Sequence, residues 1–405
     1  MSRLRALIAD RIRMTGPISV AEFMRLSLYH PDYGYYARVS RRTGRAGDFF
    51  TSVDIGPVFG ELLARQFAEM GEIIQSAAGN RRPAECDLVE AGAGSGRLAR
   101  DVLDALARQH PELYSRVRLH LVEVAPAARA AQTAVLGPHV SRLVSSSDSL
   151  PETVTGVIFA NELLDALPTH AVVMREEGLR EVFVDLKDSD GGVSEFVESE
   201  REPSTLELAR YLAGAGVHLE PGWRAEINLE APDWIRRAAR SLRRGFLILL
   251  DYGHDAAELY SATHSDGTLS TFRRHRSGDR VSALEDPGEH DITAHVDLST
   301  VAHAAESAGL LTLGRLDQTY FLLGLGLAEM LDAGRLDAQH VGGGPGRTVI
   351  AAPGRSFNGT AFRRRLALKT LMLPGVLGST MKVLIFGKDV GRPMLKGLSY
   401  KVRLT

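Results

Sequence analysis

The sequence predicts an α/β protein in which helices cover a mostly parallel β-sheet. Two observations lead to this class. Short apolar runs alternate with helical patterns through the middle of the 405-residue chain, and this is the order that builds a parallel sheet covered by helices. The composition is also that of a globular protein, because 44% of the residues are hydrophobic and 24% are charged. Collagen, coiled coil and general disorder are therefore excluded.

The strand candidates are short apolar runs, as expected for strands that are buried on both faces. They comprise residues 87–91, 117–124, 141–145, 157–160, 246–250 and 382–386. Apolar side chains at helical spacing predict helices over residues 1–14, 57–70, 97–109 and 233–242. Two long segments interrupt this alternation of strands and helices. Residues 169–245 are predicted to begin with a hairpin and to contain a helix, and residues 254–298 are predicted to form an ordered loop region over a site.

The strongest local motif joins the first central strand to a helix. It reads Asp87-Leu88-Val89-Glu90-Ala91-Gly92-Ala93-Gly94-Ser95-Gly96-Arg97. Glycines allow the backbone to bend sharply and a ligand to lie against it, but a dinucleotide-binding fingerprint would need glycine where this chain has Arg97. An acid followed by this glycine spacing is typical of S-adenosylmethionine enzymes. We therefore predict that Glu90 faces the cationic end of the methyl donor and that Gly92, Gly94 and Gly96 bind it; a tight strand-to-helix connection is the alternative.

Two further carboxylates follow the next two strands. Glu123 ends the second strand, where its two oxygens can accept hydrogen bonds from both ribose hydroxyls of a donor. Asp148 follows the third strand and can accept a hydrogen bond from the adenine amino group, although it could also be a plain loop residue. Three acids in order at three successive strand ends predict one S-adenosylmethionine site.

The fourth strand leads into Asn161 and Glu162, which we expect beside the reacting methyl group, because ligands bind beyond the strand ends of an open α/β sheet. Glu162 and Asp165 form a pair of carboxylates that can orient a guanidinium group. We therefore predict Glu162, Asn161 and Asp165 as catalytic residues. The alternative is structural: Asn161 would cap a helix, and an acid in the first turn would suit the helix dipole.

An N-terminal motif, Gly47-Asp48-Phe49-Phe50-Thr51-Ser52, places a carboxylate and a hydroxyl on a loop. We predict that Asp48 and Thr51 close over the charged donor; a turn before the helix at residues 57–70 is the alternative. We predict no metal site, because His290 and His295 lack the spacing of a metal-binding pair and Cys86 is the only cysteine.

Charge and cysteine content bound the partners and the location. The net charge of −2 argues against general nucleic-acid binding. Residues 341–405 carry twelve Lys and Arg against one acid, which predicts a solvated face or, alternatively, an anionic partner. The apolar runs are too short for a membrane span. The single cysteine fits a reducing compartment, and 42 arginines against six lysines are typical of GC-rich bacterial coding. These features predict a cytoplasmic, bacterial-type location, with the mitochondrial matrix as the alternative.

Taken together, the motifs resemble the MidA-like family, the methyltransferases associated with assembly of mitochondrial complex I and their bacterial relatives. The resemblance covers nearly the whole chain and is carried by His30-Pro31-Asp32-Tyr33-Gly34-Tyr35-Tyr36, Gly47 to Ser52, Phe59-Gly60-Glu61, the glycine turn, Asn161 to Pro168, Asp251-Tyr252-Gly253, Gly267-Thr268-Leu269, Arg273-Arg274-His275-Arg276 and Asp291-Ile292-Thr293-Ala294-His295-Val296-Asp297. It implies a class I methyltransferase (Rossmann-like) fold, a mostly parallel seven-stranded sheet with an N-terminal cap and insertions. It also implies S-adenosylmethionine as cofactor and methylation of an arginine nitrogen of a protein substrate, with symmetric dimethylarginine as product of the studied mitochondrial member.

With this fold the chain divides into five parts. Residues 1–80 form a helical cap with the donor-closing loop, 81–168 the donor-binding half of the sheet, 169–244 an inserted hairpin and helical substrate region, 245–388 the second half of the sheet with a loop insertion at 254–298, and 389–405 a basic tail. Departures from the family at Val53-Asp54 and Gln318-Thr319 concern the acceptor side.

Other functions stay open at this point. A small-molecule methyltransferase is one, since fold and donor site do not select the acceptor, and a donor-binding assembly chaperone without turnover is another. Arg97 disfavours a nicotinamide oxidoreductase. A homo-oligomer is compatible with the sequence.

Overall fold

The computed structural model describes residues 2–37, 52–53, 55–77, 84–187, 195–273, 276–278, 280–330 and 381–400. The helices are α1 (Arg3–Thr15), α2 (Val20–Tyr29), α3 (Val58–Ala77), α4 (Arg97–Gln109), α5 (Pro111–Arg116), α6 (Pro126–Leu136), α7 (Glu207–Gly214), α8 (Glu230–Ser241), α9 (Ala256–Leu259), α10 (Arg280–Glu285), α11 (Leu298–Ser307) and α12 (Gln318–Gly324). The strands are β1 (Ile18–Ser19), β2 (Cys86–Ala91), β3 (Val117–Val122), β4 (Leu143–Ser147), β5 (Val154–Asn161), β6 (His170–Arg175), β7 (Gly178–Lys187), β8 (Glu195–Arg201), β9 (Arg224–Ile227), β10 (Leu242–His254), β11 (Ser270–Arg273), β12 (Arg276–Gly278), β13 (Asp291–Thr293), β14 (Val296–Asp297), β15 (Leu311–Asp317) and β16 (Met381–Lys388).

The main sheet has the strand order β15-β16-β10-β5-β2-β3-β4, with the two-residue β14 paired to β10. The pairs β10–β5, β5–β2, β2–β3 and β3–β4 are parallel. β16 runs antiparallel to both of its neighbours. The prediction of a mostly parallel seven-stranded sheet is confirmed, with β14 as an additional short strand. The carboxyl ends of β2, β3, β4 and β5 therefore meet at one edge of the sheet.

Both faces of the central strands β2, β5, β10 and β16 are buried, which explains why these strands read as nearly continuous apolar runs. Successive side chains of a strand point to opposite faces. Phe159 of β5 accordingly packs against Phe67 of α3, with ring centroids 4.9 Å apart, whereas the adjacent Ile158 belongs to the core that includes Trp234 and Ile235 of α8. The two helical layers thus hold β5 and its carboxyl end in a fixed position.

A second sheet joins the N-terminal segment to the 169–244 region. Its order is β1-β7-β6-β9, with β8 paired to β7. β1 pairs antiparallel with β7, so Ile18 lies opposite Val184, and Phe23 of α2 packs edge-on against Phe196 of β8 with centroids 5.6 Å apart. These contacts fix α2 and the residues after it next to the carboxyl edge of the main sheet.

The 254–298 region was expected to be a loop, but its described part contains regular structure. β12, β11 and β13 form a three-stranded antiparallel sheet, and α10 packs against β11 and β12. Strands of three or four residues with polar side chains carry too short an alternation to be recognised from sequence. Pairing with a distant segment, such as Thr271 opposite Ile292, stabilises them instead.

The chain after β16 packs back onto α3 as far as it is described. The Gly397 N–H donates to Gln66 Oε1 at 3.1 Å, and the Lys396 N–H donates to Glu69 Oε2 at 2.9 Å. Leu395 and Leu398 are buried. The predicted basic tail therefore begins as a packed segment, because two of its apolar side chains are buried. No helix among the described residues combines the length and apolar character needed to cross a bilayer.

Candidate active site

A cavity of about 890 Å³ opens at the carboxyl edge of the main sheet. Four of the predicted site residues, Gly92, Glu123, Asp148 and Glu162, line it. The other walls come from the N-terminal segment and from α8, and they include Tyr29, His30, Tyr36, Trp234, Arg237 and Arg240. The pairing of β1 with β7 and the packing of α8 therefore complete a cavity that the sheet alone leaves open.

The glycine turn between β2 and α4 needs glycine for conformational reasons. Gly92, Gly94 and Gly96 have φ angles of 71°, 51° and 80°, which side chains with a Cβ atom rarely adopt. A Cβ atom at Gly94 would meet nothing within 4 Å. The Gln132 side chain donates to the Gly94 carbonyl at 2.9 Å and holds the turn in place. The turn is thus rigid and leaves open space above Gly94.

Glu123 directly follows β3 and is held by backbone groups. One carboxylate oxygen accepts the Gly94 N–H and the other accepts the Ala125 N–H, each at 2.8 Å. The Glu123 N–H itself donates to the Ser147 carbonyl at 2.8 Å. A carboxylate oxygen can accept more than one hydrogen bond, so both oxygens keep acceptor capacity toward the cavity. Asp148, which is exposed, lies on the same wall.

Glu90 lies beneath the turn, and it is not among the described residues that line the cavity. Its side chain is buried and accepts the Ala99 N–H of α4 at 3.0 Å. Burial raises the pKa of the Glu90 carboxyl to about 8, although the Ala99 hydrogen bond opposes the rise. Sequence position at a strand end could not reveal this burial, because it depends on how α4 packs. A direct contact of Glu90 with a donor stays a prediction.

The raised pKa of Glu90 leads to a prediction about how stability depends on pH. We expect Glu90→Gln to flatten the pH dependence of the unfolding free energy between about pH 4.5 and 8. In that window the folded wild type keeps a proton that the unfolded chain releases, so the wild type loses up to about 1.4 kcal/mol of stability per pH unit from this residue as the pH rises. Urea unfolding at pH 5 and pH 8 measures the difference.

The matched control for this experiment is Glu85→Gln, because the Glu85 side chain is 70% exposed. If Glu90→Gln kept the same pH dependence as this control and the wild type, Glu90 would be ionised in the folded protein, and the assigned pKa would be wrong.

The end of β5 differs from the expected helix start. Glu162 adopts a left-handed conformation with φ 52°, and the described residues 162–168 form turns. The interpretation of Asn161 as a helix cap is therefore wrong, because a left-handed residue cannot begin a right-handed helix. Instead, Asp251 Oδ2 accepts the N–H groups of Leu163 and Leu164 at 3.1 and 2.7 Å. The Asn161 amide donates to Glu162 Oε1 at 2.9 Å and orients that carboxylate at the cavity wall.

A cluster of carboxyl groups, which includes the buried Asp165 and Asp251, lies behind Glu162. Burial, together with nearby Asp251, Glu162 and Asp291, raises the pKa of Asp165 well above its usual range. Burial also raises the pKa of Asp251 to about 6, although the backbone N–H groups that donate to this carboxylate oppose the rise. Asp291 accepts the Tyr36 hydroxyl at 2.9 Å. Asp165 is buried and is not among the described lining residues, so Glu162 is the member of this cluster that faces the cavity.

Sequence reasoning did not place Asp251, Asp291 or the two tyrosines in the site. Asp251 and Asp291 belong to motifs of the family resemblance, Asp251-Tyr252-Gly253 and Asp291-Ile292-Thr293, and this was the available signal. Tyr29 donates its hydroxyl to the Ala166 carbonyl at 2.9 Å and so braces the turn after Glu162. Two residues predicted to bind the methyl donor, Asp48 and Thr51, lie outside the described residues.

The cavity and its walls fit S-adenosylmethionine. Open space above Gly94 and the exposed Gly92 backbone leave room for a ligand against the turn. A carboxylate with spare acceptor capacity at Glu123 suits ribose hydroxyls, and Leu150 and Trp234 supply apolar surface on the same cavity. These features match the nucleoside part of S-adenosylmethionine.

Comparison with known proteins agrees with this fit. Residues 62–316 match a family model described as "Putative S-adenosyl-L-methionine-dependent methyltransferase". The chain is 31% identical over 351 residues to a protein of Drosophila melanogaster named protein arginine methyltransferase NDUFAF7 homolog, mitochondrial, covering 77% of this chain and 72% of that protein. It is 32% identical to the Danio rerio protein arginine methyltransferase NDUFAF7, mitochondrial, covering 79% and 76%.

A solved structure is similar over almost its whole length. A Burkholderia thailandensis protein bound to S-adenosyl-homocysteine superposes with a TM-score of 0.80 at 30% identity, covering 98% of this chain and 94% of that one. The prediction of a cytoplasmic location is wrong against these comparisons, because the curated relatives in fly and zebrafish are named as mitochondrial proteins. Arginine and cysteine usage reflect coding bias and redox environment, and neither specifies a compartment. The match over residues 62–316 and the identity to the two relatives confirm the predicted resemblance: the chain belongs to this family of S-adenosylmethionine-dependent methyltransferases.

Proposed function

We propose that this methyltransferase methylates an arginine side chain of a protein. The observation that carries the proposal is the cluster of carboxyl groups at the end of β5, where Glu162 faces the cavity and Asp165, Asp251 and Asp291 lie close behind it. The names of the fly and zebrafish relatives, protein arginine methyltransferases, support the same acceptor.

The acceptor chemistry explains why carboxylates are needed here. A guanidinium is charged at every physiological pH and presents a planar fork of N–H donors that carboxylates accept in pairs. Bound S-adenosylmethionine supplies an electrophilic methyl group on a sulfonium. The chain must therefore align one guanidinium nitrogen with that methyl group and accept the proton which this nitrogen loses.

In this proposal Glu162 contacts the guanidinium, orients it and accepts the proton. Asn161 acts through Glu162, because its amide donates to Glu162 Oε1 and orients that carboxylate at the cavity wall. Asp165 positions the turn from behind. Its backbone carbonyl accepts the Ala294 N–H at 3.0 Å, and burial together with the neighbouring acids raises the pKa of its carboxyl group well above the usual range.

The donor side of the proposal keeps the predicted residues that line the cavity, together with Gly94 on the same glycine turn. Gly92 and Gly94 offer backbone for close approach, Glu123 accepts the ribose hydroxyls and Asp148 the adenine amino group. Glu90 and Gly96 act indirectly, by fixing the turn and the first turn of α4; the Glu90–Ala99 hydrogen bond joins the two.

The experiment is methyl transfer from methyl-labelled S-adenosylmethionine to a lysate of the protein's own source, with the purified full chain. We expect label in protein, and after acid hydrolysis we expect the labelled amino acid to be methylarginine. A parallel reaction without the chain gives the background. Label confined to methyllysine or to small molecules, or no label above background, would contradict the arginine assignment.

A further inference from the structure

Three histidines from separate segments come together outside the cavity. His254 ends β10, His264 ends the short 3₁₀ turn Ala262–His264, and His295 lies between β13 and β14. One ring nitrogen of each lies within 4.8 Å of the others. The ring centroids are 4.7 Å apart for His254 and His264, 5.1 Å for His254 and His295, and 6.0 Å for His264 and His295.

The hydrogen bonds of these rings leave nitrogen lone pairs available. His254 Nδ1 lies 3.1 Å from a carboxylate oxygen of Glu258, and His264 Nδ1 lies 3.0 Å from the Glu258 carbonyl oxygen. Both partners are acceptors, so a neutral ring would carry its proton on Nδ1 and offer the Nε2 lone pair to a metal ion. His295 Nδ1 is buried and has no hydrogen-bond partner among the described residues.

We propose that His254, His264 and His295 bind a divalent transition metal ion, for which zinc is the best match. Metal-binding imidazoles typically donate the other ring N–H to a carboxylate or a backbone carbonyl, and Glu258 provides one acceptor of each kind. Zinc accepts three imidazoles with a fourth ligand, which here is water or a Glu258 oxygen. Tetrahedral Zn–N bonds of about 2.0–2.1 Å separate the nitrogens by roughly 3.3 Å, which small side-chain rotations reach.

These three histidines were not found from the sequence, because only the spacing of His295 and His290, which are near neighbours along the chain, was considered. His254, His264 and His295 come together only when β10 and β13 take their places in the fold.

The metal would have a structural role, which goes beyond the proposed methyl transfer. It would link the end of β10 to the segment before β14. That segment is attached to the active site, because the residue before His295, Ala294, donates its N–H to the Asp165 carbonyl. His295 itself donates its backbone N–H to Thr268 Oγ1 at 3.1 Å.

The test uses the untagged full chain, stripped with a chelator and then titrated with Zn²⁺ and with Co²⁺. We expect saturable binding of one ion per chain by calorimetry, a higher thermal midpoint with Zn²⁺ and the visible absorption of tetrahedral Co²⁺. His264→Asn should weaken binding at least tenfold, because it removes one ligand while its amide can still donate to the Glu258 carbonyl.

The control is His303→Asn, which alters an exposed histidine outside the cluster and should bind zinc as the wild type does. Thermal melts in chelator show whether each variant is folded. No zinc binding by the wild type, or equal zinc binding by His264→Asn and the wild type, would overturn the proposal. Methyl transfer is not part of either measurement, so this result is independent of the proposed function.

Discussion

Gly94→Asp is expected to abolish binding of S-adenosylhomocysteine while the fold is retained. A Cβ atom added at residue 94 would meet nothing within 4 Å, so the new carboxylate can enter the open space where the donor is proposed to lie. It also brings a second negative charge next to Glu123, whose carboxylate accepts the Gly94 N–H. The φ of 51° costs an aspartate only about 1 kcal/mol, which the fold tolerates.

Calorimetric titration with S-adenosylhomocysteine measures this effect, and a thermal melt checks the fold. The matched variant is Gly94→Asn, which has the same size and backbone strain without the charge. We expect a smaller loss of affinity for Gly94→Asn than for Gly94→Asp. Unchanged affinity in a folded Gly94→Asp protein would remove the glycine turn from the donor site.

Glu162→Gln should lower turnover by about 10²-fold or more, the usual scale for a positioned acid–base group, with little change in donor affinity. Glutamine keeps an oxygen that can accept the Asn161 amide, as Glu162 Oε1 does now, so the local structure is preserved. What disappears is the negative charge that orients the guanidinium and the basic oxygen that accepts its proton.

Turnover at saturating donor, measured together with a thermal melt, separates catalysis from stability. Glu152→Gln is the control, because Glu152 is a second carboxylate on the same cavity that the proposal does not use. It should keep near-wild-type turnover. If Glu162→Gln were as active as this control, Glu162 would have only a structural role at the end of β5, and the acceptor assignment would fail.

Features that depend on local pattern could be predicted from the residues alone. Helix α4 spans the predicted residues 97–109, and β2 and β5 include the predicted runs, because a strand buried on both faces reads as an apolar run and an amphipathic helix repeats every 3.6 residues. The positive φ angles at Gly92, Gly94 and Gly96 left few other residue types possible, so the turn was visible as a motif. These local rules are sufficient for the fold class and the donor-binding edge.

Features that depend on contacts between distant segments became apparent only in the folded structure. Glu90 looks like a strand-end acid in the sequence, but packing of α4 buries it and raises its pKa to about 8. The alternative interpretation placed Glu162 in the first turn of a helix, yet Asp251, from β10, accepts the N–H groups that follow it and Glu162 adopts a left-handed conformation. Likewise His254, His264 and His295 share no periodicity. Burial and long-range pairing set the charge and direction of a side chain, and neither is encoded in the residues adjacent to it.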